Sequence, residues 1–385
     1  ALDRALEAAG AGPVTLRLAP GQYYLEPAPY TDPSCGNCED PAETVPATLG
    51  LRVSGTGIRV AGAHRDSVII HTRAGYGILF EDCDDCALER ATVTGGVRDA
   101  DGRATDAGVV VRRSTLALSD CAVRDNIGDS ATVAGVVVGI AGIAVREAGQ
   151  LSVSRCQIVR NSWDGIALYR GARATIRDNL IDGVDKASGA LVGGGRGVGI
   201  GMTWDARAVV ERNLVRRYWK GIGAFVEVDA TIRENIVEDI LTWGITLWGP
   251  DGGTPAARIE RNIVFLTGAC GVMLARPTGG EHQPGTLIDN VIMRTGQNER
   301  YDSGEPYCWQ RPIARHEVPA GFGERDNLLH DNRQPADAGG GAPAPEPELS
   351  RAELLARAGA LLDLLASREP TARALLFDTL PRSTR

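Results

Sequence analysis

Only two lysines occur in the chain, Lys186 and Lys220, and each stands among residues that could move protons. Lys220 closes the segment Arg216-Arg217-Tyr218-Trp219-Lys220, a knot of positive charge in a chain whose 41 basic and 49 acidic residues leave a net charge of −8. Lys186 lies in the glycine-rich stretch 183–198 with Asp185 and Arg196. Neighbouring positive charge lowers a lysine pKa, so such a group can take a proton while a second cation neutralises a carboxylate beside the reacting carbon. That pairing is what β-elimination on a uronic acid needs, with Lys220 as base and Arg196 or Lys186 as neutraliser. Hydrolysis of a glycosidic bond is the competing chemistry and needs two carboxylates, for which Asp164, Asp185 and Glu227 are the candidates.

Other motifs point to metals or bridges. Asp99, Asp101 and Asp106 alternate around the Gly102 turn as carboxylates do in calcium loops, without the closing Glu of an EF-hand; calcium is the ion such a loop would take. Cys35-x-x-Cys38 and Cys83-x-x-Cys86 could together form a tetrahedral zinc site, or could form one or two disulfides. The even count of eight cysteines, without cytosolic enzyme motifs, favours an oxidising compartment and hence bridges over zinc. Neither proposed chemistry requires a cofactor.

These residues have to be positioned by something, and counting identifies it. Short alternating strands open at Gly165, Gly199, Gly221 and Gly244, and an Arg/Glu/Asp-Asn-Leu/Ile/Val piece recurs at Asn179, Asn213, Asn235, Asn262 and Asn290. From Gly165 to Asn179, Gly199 to Asn213 and Gly221 to Asn235 the separation is always 14 residues, and Gly142 to Cys156 keeps the same interval. The return gap varies, from 8 residues for Asn213 to Gly221 up to 21 for Cys121 to Gly142. One arc of each coil is therefore fixed while another takes insertions, and the shortest full coil is 22 residues. This predicts an all-β chain, a right-handed parallel β-helix solenoid of about ten coils. Equivalent residues then stack at ~4.8 Å, the Asn column forms an inward ladder, and Cys121 and Cys156 occupy the same column as stacked thiols or a bridge.

Columns counted from the glycine also predict a surface. Position +2 is small throughout, Ala144, Ala167, Gly201, Gly223 and Thr246, and position +4 is Arg146, Tyr169, Thr203, Phe225 and Trp248. Both should face outward. With Trp163, Tyr218, Trp219 and Trp243 just before the glycines, Tyr169, Phe225 and Trp248 would wall a shallow groove where sugar rings stack, beneath the insertion 183–198.

A solenoid needs caps, and Ala1–Gly10 presents Leu2, Ala5, Leu6 and Ala9 on one helical face, suited to plug the first coil. The solenoid is expected over 1–334, a Pro/Ala/Gly linker over 335–349, and a helical segment over 350–385 opening with the capping box Ser350-Arg351-Ala352-Glu353. That helix either caps the last coil or serves as a partner-binding tail. The acidic balance disfavours a nucleic-acid partner, and no apolar run is long enough to span a membrane. The sequence begins at Ala1 with no leader, so either a signal peptide was removed or the chain was trimmed, and with the cysteines this leads us to expect a secreted, extracellular or periplasmic protein.

The opening Leu2-Asp3-Arg4-Ala5-Leu6, the phrase Leu18-Ala19-Pro20-Gly21-Gln22-Tyr23 and the Asn-Leu/Ile and Gly-Ile repeats resemble the pectate-lyase-like superfamily over residues 1 to 334. The resemblance is greatest to bacterial right-handed β-helix and carbohydrate-binding or sugar-hydrolase domains. It implies a polysaccharide as partner and a lyase, hydrolase, epimerase or non-catalytic glycan-binding role. The Asn-Thr-Asp and Gly-His-Gly motifs of polygalacturonases and the Asp-Pro-His-Asp motif of mannuronan epimerases are missing, so no catalytic residue carries over.

Overall fold

A computed structural model describes residues 12–100, 106–128, 139–183, 197–249, 253–275, 285–300, 310–318, 321–335 and 350–367. Three sheets of eleven strands each run along one axis, and from Val45–Thr56 onward consecutive strands pass from sheet to sheet, so every coil contributes one strand to each. All pairing is parallel except at one edge of the second sheet, where Ala28–Asp32 runs antiparallel to Val45–Thr56. The first sheet includes Arg173–Arg177 and Ala206–Glu211, the second Ile166–Leu168 and Lys220–Phe225, the third Leu180–Asp182 and Leu214–Arg216. Inward Val, Ile and Leu from all three fill the lumen in continuous stacks, among them Val145, Leu168, Met202, Ala224 and Leu247. Each fully buried aliphatic contributes roughly 1.5–3 kcal/mol.

The counted columns are real. Asn179 Nδ2 donates to Asn213 Oδ1 at 3.0 Å, Asn213 to Asn235 at 3.0 Å, Asn235 to Asn262 at 3.0 Å and Asn262 to Asn290 at 3.0 Å. The ladder runs one rung past the counted set, to Asn327 at 2.9 Å. Each carboxamide oxygen also accepts from the preceding rung's backbone N–H, which satisfies donors that the turn would otherwise orphan. The residue before each Asn is left-handed, as at Asp178 (φ 60°), Arg212 (φ 51°) and Glu234 (φ 58°). This conformation costs a non-glycine residue on the order of 1 kcal/mol, and the ladder bonds offset it. Cys156 N donates to Asn179 Oδ1 at 2.8 Å, and Cys121 and Cys156 continue the column as buried free thiols. The glycine column has an equally direct cause: a Cβ on Gly165 would lie 2.5 Å from Gly199 O, and one on Gly199 2.7 Å from Gly221 O.

The expected cap at 1–10 and the linker beyond Pro335 lie outside the described residues. The helix Arg351–Ala366 packs along the flank of the solenoid. It lies on the outer face of the third sheet, where Leu354, Ala358 and Leu361 join one apolar cluster with the outward residues Leu180, Leu214, Ile236, Ile263, Val291 and Met293. A row of outward Leu and Ile supplies enough apolar area to hold an amphipathic helix along the solenoid's flank, and Arg357 adds an ion pair with Asp289 at 2.9 Å. The capping box forms as expected, with Glu353 N donating to Ser350 Oγ at 3.2 Å and Ser350 N to Glu353 Oε2 at 2.9 Å. Ser350→Ala should cost this helix ~1 kcal/mol, measurable as faster amide exchange across 351–361 with the solenoid's protection unchanged.

Candidate functional site

Strand pairing sets Val198 beside Lys220, and extending the register puts Asp164, Val198, Lys220 and Trp243 in one column at the entry to the second sheet. Asp164 and Lys220 are thus two coils apart, roughly 9–10 Å between Cα atoms. Asp164 is buried. Its Oδ1 accepts from Val198 N at 2.7 Å, and its Oδ2 lies 3.5 Å from the Tyr169 hydroxyl. Burial raises its pKa to about 7, against the lowering effects of the Val198 and Tyr169 hydrogen bonds and of the Lys220 charge. A carboxyl in that range is partly protonated near neutrality and can pass a proton either way.

Lys220 Nζ stands 4.1 Å from the Trp219 ring centroid, 4.5 Å from that of Trp243 and 5.3 Å from that of Phe225. Three aromatic faces favour an ammonium over a neutral amine. Trp243 stacks on Trp248 at 5.0 Å, and Trp204 packs beside Tyr169 at 5.6 Å. Gly201 and Gly223 form the floor: a Cβ on Gly201 would come within 3.7 Å of Asp164 Oδ2, and the Phe225 ring lies over Gly223. Trp204 escapes a column count because it sits one residue past the +4 position, in a left-handed turn (φ 53°).

Several sequence expectations need correction. Tyr218 cannot stack on a sugar, because it points into the lumen as part of the main core, with its pKa raised well above normal by burial. Tyr169 and Trp243 are buried too, at 5% and 2% exposure, while Trp163, Trp219, Phe225 and Trp248 are half-buried. The +4 column is therefore not an open aromatic wall. Its N-terminal part is roofed by the hairpin 28–49, with Arg146 fully enclosed beneath it. Glu227 does not join Asp164. It lies two residues past Phe225, the far end of a strand that at ~3.3 Å per residue already runs about 16 Å from Lys220, in a separate hollow of ≈ 410 Å³ with Asp205 and Asp229. Paired carboxylates must sit within ~5–9.5 Å, so Asp164 and Glu227 are not such a pair. Lys186, Arg196 and Asp185 lie outside the described residues.

The two C-x-x-C motifs stand on opposite sides of the second sheet and cannot share a zinc ion. Cys35 and Cys38 form a disulfide on its outer face, whereas Cys83 and Cys86 are buried thiols in the lumen. Cys270 is buried against Trp243 and Met273, and Cys308 lies outside the described residues. Asp99 accepts from Thr48 N and Thr48 Oγ1, each at 2.7 Å, and Asp106 pairs with Arg98 and accepts from Asp99 N at 2.8 Å. Asp101 is outside the described residues, and among those described no three His, Cys, Asp or Glu side chains converge on a metal position.

The family described as right handed beta helix region matches residues 51–198 and 140–279, more than half of the chain. Among solved structures, the Dettilon tailspike protein superposes with a TM-score of 0.50 at 15% identity, covering 73% of this chain and 54% of the tailspike. The chain thus spans about half the tailspike's length. The A-module of an Azotobacter vinelandii mannuronan C-5 epimerase gives a TM-score of 0.37 at 15% identity over 90% of this chain and 93% of the module. Pectate lyase Pel9A gives 0.42 at 12% identity over 86% of this chain and 74% of its own. At such identities the likeness is one of fold, and no curated protein matches the sequence. Three eleven-strand sheets, an asparagine ladder running from Asn179 to Asn327 and the family match over more than half of the chain place it in the right-handed β-helix family.

Proposed function

We propose that the protein acts on an extended, uronate-containing polysaccharide by β-elimination at the outer face of the second sheet. The observation that carries this reading is the placing of Asp164 and Lys220 in one column over a glycine floor. From sequence Lys220 is the base; the three rings around its ammonium favour the charged form, so the roles divide differently. Lys220 faces the uronate carboxylate and stabilises the enolate-like charge that develops there. Asp164, as carboxylate, takes the C5 proton. The C5–H electron pair becomes the C4=C5 double bond, the C4–O bond breaks, and the departing oxygen takes a proton from water. Lys186 and Arg196, on the insertion that leads into Gly197, are the candidates for a second cation.

The Cys35–Cys38 bridge supports residence in an oxidising compartment, extracellular or periplasmic. Incubation of the full chain with polygalacturonate, alginate and neutral glycans, with and without calcium, tests the reaction by the ultraviolet absorbance of the unsaturated product. Absorbance growing with time on a uronan is the expected outcome. Binding across the panel with no product would instead favour a non-catalytic glycan-binding module.

A further inference from the structure

Along most of this solenoid, surface arginines are neutralised by a carboxylate on a neighbouring coil. Arg155 pairs with Asp120 at 2.6 Å, Arg212 with Asp178 at 2.8 Å, Arg217 with Asp182 at 2.6 Å, Arg233 with Glu211 at 2.5 Å and Arg261 with Glu234 at 2.9 Å. One step on the outer face of the first sheet breaks this rule. There Arg173 stands in register with Arg207 on the next coil, both are exposed, and among the described residues neither is in an ion pair. Arg258, further along, spends its guanidinium on the Thr231 hydroxyl at 3.2 Å. Asp229 stands in register on the other side of Arg207 without an ion pair between them among the described residues; like charges directly opposite on a sheet are destabilising, so the Arg173–Arg207 step is a position where an outside anion would lower the energy.

The shape of this face suits a polymer. Short side chains, Ala117, Ser152, Thr175, Val209 and Thr231, follow one another in register down the middle of the sheet. Because alternate residues face outward, the side chains two positions earlier, Gln150, Arg173, Arg207 and Asp229, form one bank of a trough above that floor. The trough holds ≈ 450 Å³ and reaches from Cys86 to Arg258, seven successive strands of the sheet, or on the order of 30 Å at the coil spacing. A small anion would need only one end of it.

We propose that this trough is a second binding surface, separate from the Asp164–Lys220 site, and that it holds a segment of a linear acidic polysaccharide along the solenoid axis with carboxylates against Arg173 and Arg207. The anionic, extended character of the occupant follows from the three arginines of the lining, Arg173, Arg207 and Arg258, against its two aspartates, Asp85 and Asp229, and from the trough's length; the choice of a uronate chain rests on the function proposed above. Nucleic acid fits poorly, because no aromatic side chain lines the trough to stack on bases. The two surfaces lie on different sheets, so one long polymer could be gripped on the first while it reacts on the second.

Affinity electrophoresis of the full chain in gels containing polygalacturonate, alginate, neutral dextran or single-stranded DNA tests this directly. Retardation by a uronan, weakening as salt rises, is expected. The double variant R173Q/R207Q should bind that polymer about tenfold more weakly, with Tm no lower than the parent because a like-charge contact is removed. Turnover of short oligouronides, which cannot reach both sheets, should be unchanged in the double variant. Unaltered retardation of R173Q/R207Q, absence of retardation by every uronan, or equal retardation by DNA would each overturn the proposal. Failure of the catalytic reading looks different: no unsaturated product from either protein, with the retardation difference intact.

Discussion

Asp164→Asn should lower turnover on the responsive uronan by ~10²–10⁴, the usual span for removing a general acid or base, while leaving polymer retention on the first sheet unchanged. The substitution keeps the hydrogen bond from Val198 N and the contact with Tyr169, so the column stays in place and only the titrating group is lost. In the parent, kcat/KM should rise with pH through about 7, because the carboxylate is the proton acceptor and burial has lifted its pKa to that value. Lys220→Met, which keeps the side chain's apolar length among Trp219, Phe225 and Trp243, should be comparably inactive with the same fold. A parental pH profile flat across neutrality, or an Asp164→Asn enzyme that turns over normally, would remove Asp164 from the reaction.

The same substitution has a stability signature that does not depend on activity. An aspartate whose folded pKa is raised binds its proton more tightly folded than unfolded. The associated stability is complete below the unfolded value near ~4 and is lost as pH rises through the folded value of about 7. Asp106 titrates at about 7 for the same first reason, burial, against the opposing pull of Arg98. The parent should therefore lose urea resistance between about pH 4 and pH 8, and Asp164→Asn should lose less of it. Asp106 keeps the remaining slope.

How much of this could be read from residue order depends on distance along the chain. The glycine and asparagine columns are local signals repeated at a fixed interval, and parallel pairing turns equal intervals into stacked neighbours; Asn179, Asn213 and Asn235 stack as counted. The pairing of Asp164 with Lys220 comes from the same arithmetic, applied across the insertion 183–198. What the columns do not carry is cover. Arg146 and Tyr169 sit at an outward position by parity, yet one is fully enclosed and the other 5% exposed, because burial on a solenoid's outer face is decided by loops from elsewhere in the chain. Tyr218 misleads for another reason. The chain bends between the third and second sheets, so the alternation counted from Gly221 does not extend back to residue 218, whose ring ends in the lumen. The flank position of the Arg351–Ala366 helix was equally hidden, although the outward apolar column of its cluster, Leu180, Leu214, Ile236, Ile263 and Val291, is periodic in the sequence.

Arg146→Met should destabilise the N-terminal third of the solenoid by ~3–5 kcal/mol, the cost of stripping one partner from a buried ion pair. Arg146 is the centre of the clasp that fastens the hairpin 28–49 to the second sheet. It pairs with Asp32, donates to the Tyr76 hydroxyl at 3.1 Å and reaches Ser34 Oγ at 3.2 Å. Arg112 supports the same carboxylate from the preceding coil at 2.5 Å and pairs with Glu81, which also accepts Arg52 at 2.6 Å. Asp32 keeps a low pKa despite burial, because these guanidinium groups and the Ser34 amide outweigh the loss of water. Methionine fills the volume but leaves half of that compensation missing; Arg112 keeps its pair with Asp32, and Arg170 still donates to Cys35 O at 2.9 Å and Gly36 O at 3.1 Å. The expected result is early proteolytic cleavage between Asp32 and Val45, at a denaturant concentration where the coils from Gly165 onward remain protected. Cooperative loss of the whole solenoid at once, or cleavage no faster than in the parent, would show that the hairpin is held by its apolar contacts, Val45, Ala47 and Cys35 against Leu79, Val110 and Ala144, rather than by the buried charges.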